Sequence, residues 1–156
     1  GPNTLQRNNL DATEVQGIEL RASRHIGDHV SLDGTYSFTD STVTRARNAP
    51  NLQGRSLPQV PSHAASLAVR TRWDRMGWTV QGRWTSASWD DDLNQMRLNA
   101  FLCIDSRVDY QLDSKTTVYA ALENLTATEI MTRREASGLI GTGTPRMWSA
   151  GIRREF

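Results

Sequence analysis

The sequence is short of nearly everything that marks a familiar soluble function. It has one cysteine, Cys103, in 156 residues, which excludes an intrachain disulfide framework and a cysteine-based zinc site. Neither sign of charge is in excess: 18 Lys and Arg stand against 17 Asp and Glu, a formal net charge of +1. No basic surface points to nucleic acid, and no run of like charge suggests a disordered tail. Apolar residues make up only 37%, and mean hydropathy is −0.56. No stretch reaches the roughly 18 apolar residues of a membrane-spanning helix, a limit that does not touch β-strands, which cross with about 9–11 residues. Phosphate loops, nucleophile elbows and metalloprotease patterns are missing, so no enzyme is expected, and no cofactor. Gly1-Pro2-Asn3-Thr4 is polar from the start, unlike a secretory signal, and the sequence reads as a mature or truncated chain.

What is present is alternation. Seven segments read as strands: about Thr13–Arg24, Val30–Thr39, Ala64–Trp73, Trp78–Ser86, Ala100–Leu112, Thr116–Leu125 and Arg146–Phe156. In the second, Val30, Leu32, Gly34, Tyr36 and Phe38 alternate with Ser31, Asp33, Thr35 and Ser37, the period-two pattern of a strand between two environments. No window keeps a helical period. The expectation is an all-β, antiparallel transmembrane barrel segment.

Two regularities favour a membrane wall. Nearly every mid-strand charge has the parity opposite to the aliphatic residues, as a wet interior and a lipid-facing exterior require. Connections also run short, long, short, long, short, long, as expected when one rim carries turns and the other carries loops. Tyr36, Phe38, Trp73, Trp78, Trp84, Tyr110 and Trp148 share the aliphatic parity and are candidates for interfacial aromatic girdles. The same alternation also fits a soluble antiparallel sandwich or a small closed barrel.

Several local sequences resemble the late barrel strands of TonB-dependent outer-membrane receptors. Glu123-Asn124-Leu125 resembles a motif on their penultimate strand, and Gly143-Thr144-Pro145-Arg146 with the strand ending at Phe156 resembles their last loop and strand. The stretch from Asn8 through Gly17-Ile18-Glu19-Leu20, the aromatic-rich Tyr36-Ser37-Phe38-Thr39-Asp40, and Gly54 to His63 with its prolines are similar in the same order. Ile130, Met131 and Arg154 depart from the usual family residues. The resemblance implies that residues 1–156 are the C-terminal part, the last seven strands of a roughly 22-stranded barrel, with the plug domain and TonB box absent. It implies outer-membrane localisation and TonB-coupled import of a scarce ligand: a ferric siderophore, cobalamin or a haem-like compound. Partners would be outer-membrane lipid, TonB through the missing N-terminal part, the rest of the barrel and plug, and an assembly machinery that reads the terminal Phe156. Counting back from a periplasmic chain end makes the short connections periplasmic and the long ones extracellular, and puts residues 1 to about 11 in an extracellular loop.

Within that frame, Glu19, Arg21, Asp33, Arg70, Arg72, Arg83, Asp105, Arg107, Glu123 and Arg153 are expected to face the lumen and contact the plug. Most such charges are ordinarily solvated or paired without touching a ligand. Arg47, Arg55, Trp89, Asp90, Asp91, Asp92, Arg133 and Arg134 in the long connections are the ligand candidates. Arg holds anionic chelates by charge-assisted bonds, and Trp stacks on flat ligands. The three aspartates lack the spaced ligands of a calcium loop, His25, His29 and His63 lack metal-ligand spacing, and no metal site is expected. Seven strands leave two open edges, which lipid does not tolerate. The chain is therefore expected to need the rest of a barrel. Otherwise it is a stand-alone β-module completed by oligomerisation or a partner strand, or, if an eighth strand existed, a small barrel with another activity.

Overall fold

The computed structural model describes residues 10–156, so Asn8 and most of the expected first loop lie outside the described residues. Among the described residues, eleven strands form three sheets: β1 Ala12–Ile26, β2 Val30–Arg45, β3 His63–Trp73, β4 Met76–Thr85, β5 Ser88–Trp89, β6 Arg97–Leu98, β7 Phe101–Gln111, β8 Thr116–Glu123, β9 Met131–Arg134, β10 Ile140–Thr142 and β11 Met147–Arg154. Seven make one antiparallel sheet in the order β1-β2-β3-β4-β7-β8-β11, and the pairs β5/β6 and β9/β10 are small ribbons inside two long connections. The wall is thus a simple meander whose strands match the seven expected segments.

The register sorts the two faces. The rung Leu20, Tyr36, Ala65, Trp84, Leu102 runs across five strands, and Leu32, Val69, Val80, Ser106, Leu122, Trp148 runs across six. Residues opposite one another in a ladder point the same way, so the aliphatic and aromatic residues form one continuous face. These side chains stay open: Leu20 is 60% exposed, Leu67 53%, Ile152 71% and Trp148 80%. The whole surface is 11474 Å², against roughly 7,900 Å² for a compact monomer of this mass. A water-soluble domain would bury such a face. A bilayer solvates it.

Aromatic residues bound that face. Trp73, Trp78 and Tyr110 lie beside the short turns. Tyr36, Phe38 and Trp84 lie near the long connections, where the His63 ring packs 5.2 Å from Phe38 and bonds the Tyr36 hydroxyl at 2.8 Å. Trp78 and Trp84 are six positions apart, roughly 20 Å along the strand, close to the apolar band of an outer-membrane barrel. Trp148 is the exception, since it shares the mid-sheet rung of Leu122.

Two hairpins show why the rims differ. The β3–β4 turn needs only Asp74 and Arg75, with Asp74 at φ 47°, a left-handed geometry that Asp tolerates. The β1–β2 turn uses Gly27 at φ 58°. In the β7–β8 turn the Asp113 carboxylate accepts the Lys115 N–H at 2.8 Å. At the opposite end β2 does not stop near Thr39 but stays paired with β1 to Arg45. Beyond Ile18 and Phe38 the formerly apolar face carries Glu14, Gln16, Asp40 and Thr42, so apolar alternation ends while the ladder goes on. Those residues mark where the hairpin leaves the lipid.

Two close approaches fix the wall. A Cβ on Gly17 would meet the Phe38 carbonyl oxygen at 2.5 Å, and one on Gly151 would meet the Tyr119 ring at 2.7–2.8 Å. Tyr119 lies flat over β11, and the Arg107 guanidinium sits 4.0 Å above its ring centre.

Candidate functional site

The polar face of the large sheet carries all ten charges expected there. Glu19 and Arg21 on β1, Asp33 on β2, Arg70 and Arg72 on β3, Arg83 on β4, Asp105 and Arg107 on β7, Glu123 on β8 and Arg153 on β11 fall on rungs of that one face. Several are cross-linked. Arg70 pairs with Asp33, which also accepts the Ser23 hydroxyl at 2.7 Å. Arg83 pairs with Asp105 at 3.1 Å. Arg107 holds Asp109 through Nε at 3.0 Å and Nη2 at 2.6 Å. Cys103, 1% exposed, sits on this face between Arg83 and Asp105.

The long connections gather above one end of the wall, and side chain to backbone bonds hold them together. Asp90 is the junction. Its carboxylate accepts the Arg134 N–H at 2.6 Å from the third long connection and the Gln59 amide at 2.7 Å from the first. The Gln59 N–H also donates to the Trp89 carbonyl at 2.6 Å. The Arg134 N–H is the main reason the Asp90 carboxyl lies below its ordinary range, with Gln59 and the Arg133 charge helping against a burial cost. Asp91 accepts the N–H groups of Gln95 and Met96 at 2.8 and 2.6 Å, closing its own loop. Asn94, at φ 56°, bonds both ways with the Ser56 backbone at 2.8 and 3.0 Å.

Of the ligand candidates, Trp89, Asp90, Arg133 and Arg134 therefore converge. Both Asp90 oxygens already accept, one from the Arg134 N–H and one from the Gln59 side-chain amide, and a single Asp91 oxygen takes two backbone N–H groups, while Asp92 is exposed and makes no side-chain bond among the described residues. Arg133 pairs with Glu135 at 3.0 Å. The Arg47 N–H bonds Asp11 at 2.5 Å, and Arg55 reaches the Asn51 carbonyl at 3.5 Å, so neither joins the Asp90 junction.

Asn124 was legible only as part of a motif. It is 2% exposed with φ 49°. Its amide donates to the Thr128 and Thr144 carbonyls at 2.9 and 3.1 Å, its oxygen accepts the Thr128 N–H at 2.9 Å, and its own N–H reaches Asp105 at 2.9 Å. It thereby ties both ends of the third long connection to β7. The sequence signal was an Asn after a strand, the residue that best tolerates left-handed backbone after glycine.

An open antiparallel meander with a lipid-suited face between aromatic bands, and a charge-laddered face behind it, is a portion of an outer-membrane β-barrel wall. The family model described as TonB dependent receptor-like, beta-barrel, matches residues 1–125, and the chain belongs to that family. It is 31% identical over 103 residues to the ferrichrome outer membrane transporter/phage receptor of Escherichia coli, covering 63% of this chain and 13% of that protein. It is 29% identical over 136 residues to an iron-regulated outer membrane virulence protein of Vibrio cholerae, covering 83% and 20%. Among solved structures, the ferric yersiniabactin uptake receptor FyuA of Yersinia pestis superposes with a TM-score of 0.83 at 18% identity over 92% of this chain and 24% of that one. The siderophore receptor PiuA of Acinetobacter baumannii gives 0.82 at 18% over 91% and 22%. These last two likenesses concern the fold. The chain spans between an eighth and a fifth of the length of these two curated relatives.

Proposed function

We propose that this chain supplies the last seven strands of a receptor that imports a ferric siderophore across the outer membrane with TonB-coupled energy. The observation that carries the reading is the two-faced wall: one face suits lipid between its aromatic bands, and the other carries a laddered set of charges suited to a wet lumen. The relatives named for ferrichrome and for ferric yersiniabactin favour an iron chelate over cobalamin or haem. In this reading β1 and β11 pair with other strands of the same barrel. The charged face surrounds an internal plug, and the joined loops form part of the mouth that meets the ligand. Phe156, fully exposed, is the end that an assembly machinery would read.

Chemically the wall is passive. Its polar face holds water and fixed charges, and the rim presents Arg133, Arg134 and Trp89 beside the Asp90 junction, a set suited to an anionic chelate. Deleting the gene for the intact receptor in an iron-limited strain tests the reading. Uptake of radiolabelled iron from at least one ferric siderophore should fall, and should return with the plasmid-borne gene. Loss of cobalamin or haem uptake with every siderophore unaffected would overturn the choice of ligand.

A further inference from the structure

On the apolar face, where β3, β4 and β7 lie side by side, the wall has a hollow of about 330 Å³. Gly82 is its floor, and its banks are Leu67 on β3 and Leu102 and Ile104 on β7. Val80 and Trp84 stand at its two ends. All of these residues are central in the sheet, away from the open edges at β1 and β11, so the depth of the hollow does not depend on the strands that complete a barrel.

Nothing within the chain calls for a glycine here. A glycine in mid-strand weakens a sheet and ordinarily marks a bulge, a bend or a close approach. The ladders on both sides of Gly82 run without a shift in register, and its backbone is not left-handed. A Cβ added at Gly82 would meet only Leu102 Cδ1, at 3.9 Å, an ordinary contact, whereas one at Gly17 or Gly151 would meet atoms at 2.5 or 2.7 Å. What remains is a close approach by something outside the chain.

The shape and the ends of the hollow select the occupant. Its banks stand on strands two apart, roughly 9.6 Å, which leaves the width of one hydrocarbon chain between their side chains. A second copy of the wall would bring rows of side chains about 4.8 Å apart, too broad to follow so narrow a channel. Val80 and Trp84 are four positions apart, roughly 13 Å along the strand, within one leaflet of a hydrocarbon core about 30 Å thick. The two ends differ. Beyond Val80, the Trp78 indole already gives its N–H to Ser106 Oγ at 3.0 Å. The Trp84 indole N–H has no partner among the described residues, and its rung carries the Tyr36 hydroxyl, bonded to His63 at 2.8 Å. A polar headgroup therefore finds a free donor at the Trp84 end.

We propose that this groove binds one acyl chain of a membrane lipid, with the chain over Gly82 between Leu67 and Leu102 and the headgroup beside Trp84 and Tyr36. The inference rests on the lipid-facing assignment of the wall and is independent of what the receptor imports. It adds a discrete site to a face otherwise wetted by exchanging lipid.

The test places the full-length receptor in vesicles of phosphatidylethanolamine and phosphatidylglycerol containing a little phosphatidylethanolamine with a diazirine midway along one acyl chain. After illumination, labelled residues are read by mass spectrometry. Leu67, Leu102 and Ile104 should carry about tenfold more label, equivalent to about 1.4 kcal/mol, than Leu32 and Leu122, which share the rung of Val80 outside the groove. Gly82→Leu fills the groove and should bring that excess down to the level of the surrounding wall. Ala120→Leu, the same side chain added to the same face on β8, should leave the excess intact. Label spread evenly over the apolar face, label that survives Gly82→Leu, crosslinks to a second receptor instead of lipid, or no label at all overturns the proposal. The unsubstituted protein decides the matter even if Gly82→Leu fails to assemble. Ferric-siderophore uptake is scored separately, so even labelling in a receptor that still imports sinks this inference and leaves the import reading standing.

Discussion

The wall and the rim are built by different physics. In the wall, strands are specified by which way each side chain points, and the apolar face makes few specific contacts because its partner is fluid lipid. In the rim, single polar side chains hold whole loops: Asp90 joins three connections, Asn94 joins two, and Asn124 anchors the last one. The lesson is one of tolerance. Apart from Gly17 and Gly151, where any side chain would clash, a wall residue can be exchanged for anything with the same preference for lipid or water, whereas exchanging a rim anchor breaks specific bonds.

The sharpest way to break that contrast is Asn124→Ala. It leaves three buried backbone partners unsatisfied, at about 1–3 kcal/mol each, and puts Ala in a left-handed conformation costing about 1–2 kcal/mol more. A loss of about 4 kcal/mol or more is expected, read by denaturant unfolding of the intact receptor in lipid vesicles. A loss below about 1 kcal/mol would place the anchor's importance elsewhere.

Next comes a wall pair that isolates direction. Leu67→Arg at mid-sheet on the apolar face should cost about 2–4 kcal/mol. Its neighbour Ser66→Arg, on the charged face, should cost under about 1 kcal/mol. Equal costs in the same unfolding assay would mean that the two faces are not the lipid and water faces assigned here.

Smaller again is the Asp90 junction. Asp90→Ala should loosen the loops by about 1–3 kcal/mol without unfolding the wall, seen as faster amide exchange at Gln59 and Arg134. The carboxyl also gives the junction a pH dependence. Its folded-state pKa is depressed, so its contribution is complete above the unfolded value of about 3.9. It is lost as pH falls through the folded value. Asp113 at the other rim, lowered chiefly by the Lys115 N–H, acts with the same sign. Protection of the Gln59 amide, the factor by which it exchanges more slowly than the free amide at the same pH, should therefore fall on acidification below about pH 4 in the wild type and stay flat in Asp90→Ala. The smallest effect is expected at Asp92→Asn, within about 0.5 kcal/mol.

The same contrast decides what could be read from the sequence. Alternation located all seven wall strands and sorted ten charges and seven aromatics onto opposite faces of the sheet, because a strand between two environments must alternate. It ended β2 six residues early, since above Phe38 the formerly apolar face turns polar with Asp40 and Thr42 while Val43 falls on the other face, and only the ladder with β1 carries the strand on. It gave the two ribbons as linkers, because strands of two to four residues have no period to detect. The loop junctions were out of reach for a different reason. Asp90 and Asp91 look in sequence like free acids at a loop tip, and only the fold brings the Gln59 and Arg134 donors to one of them. Gly17 and Asn124 stood out as motif residues, and their physical reasons, a backbone oxygen 2.5 Å from a would-be Cβ and a left-handed anchor, required coordinates.

The flat contact of Tyr119 over Gly151 bears on how the last strand finds its place. Sliding β11 along β8 by two residues would keep Trp148, Ala150 and Ile152 on the lipid side, so the greasy face alone cannot detect that error. The ring can. Either slipped alignment brings Ser149 or Arg153 beneath Tyr119 in place of the one residue with no side chain. The socket thus works as a proofreading notch, rejecting a misthreaded final strand that the membrane itself would accept.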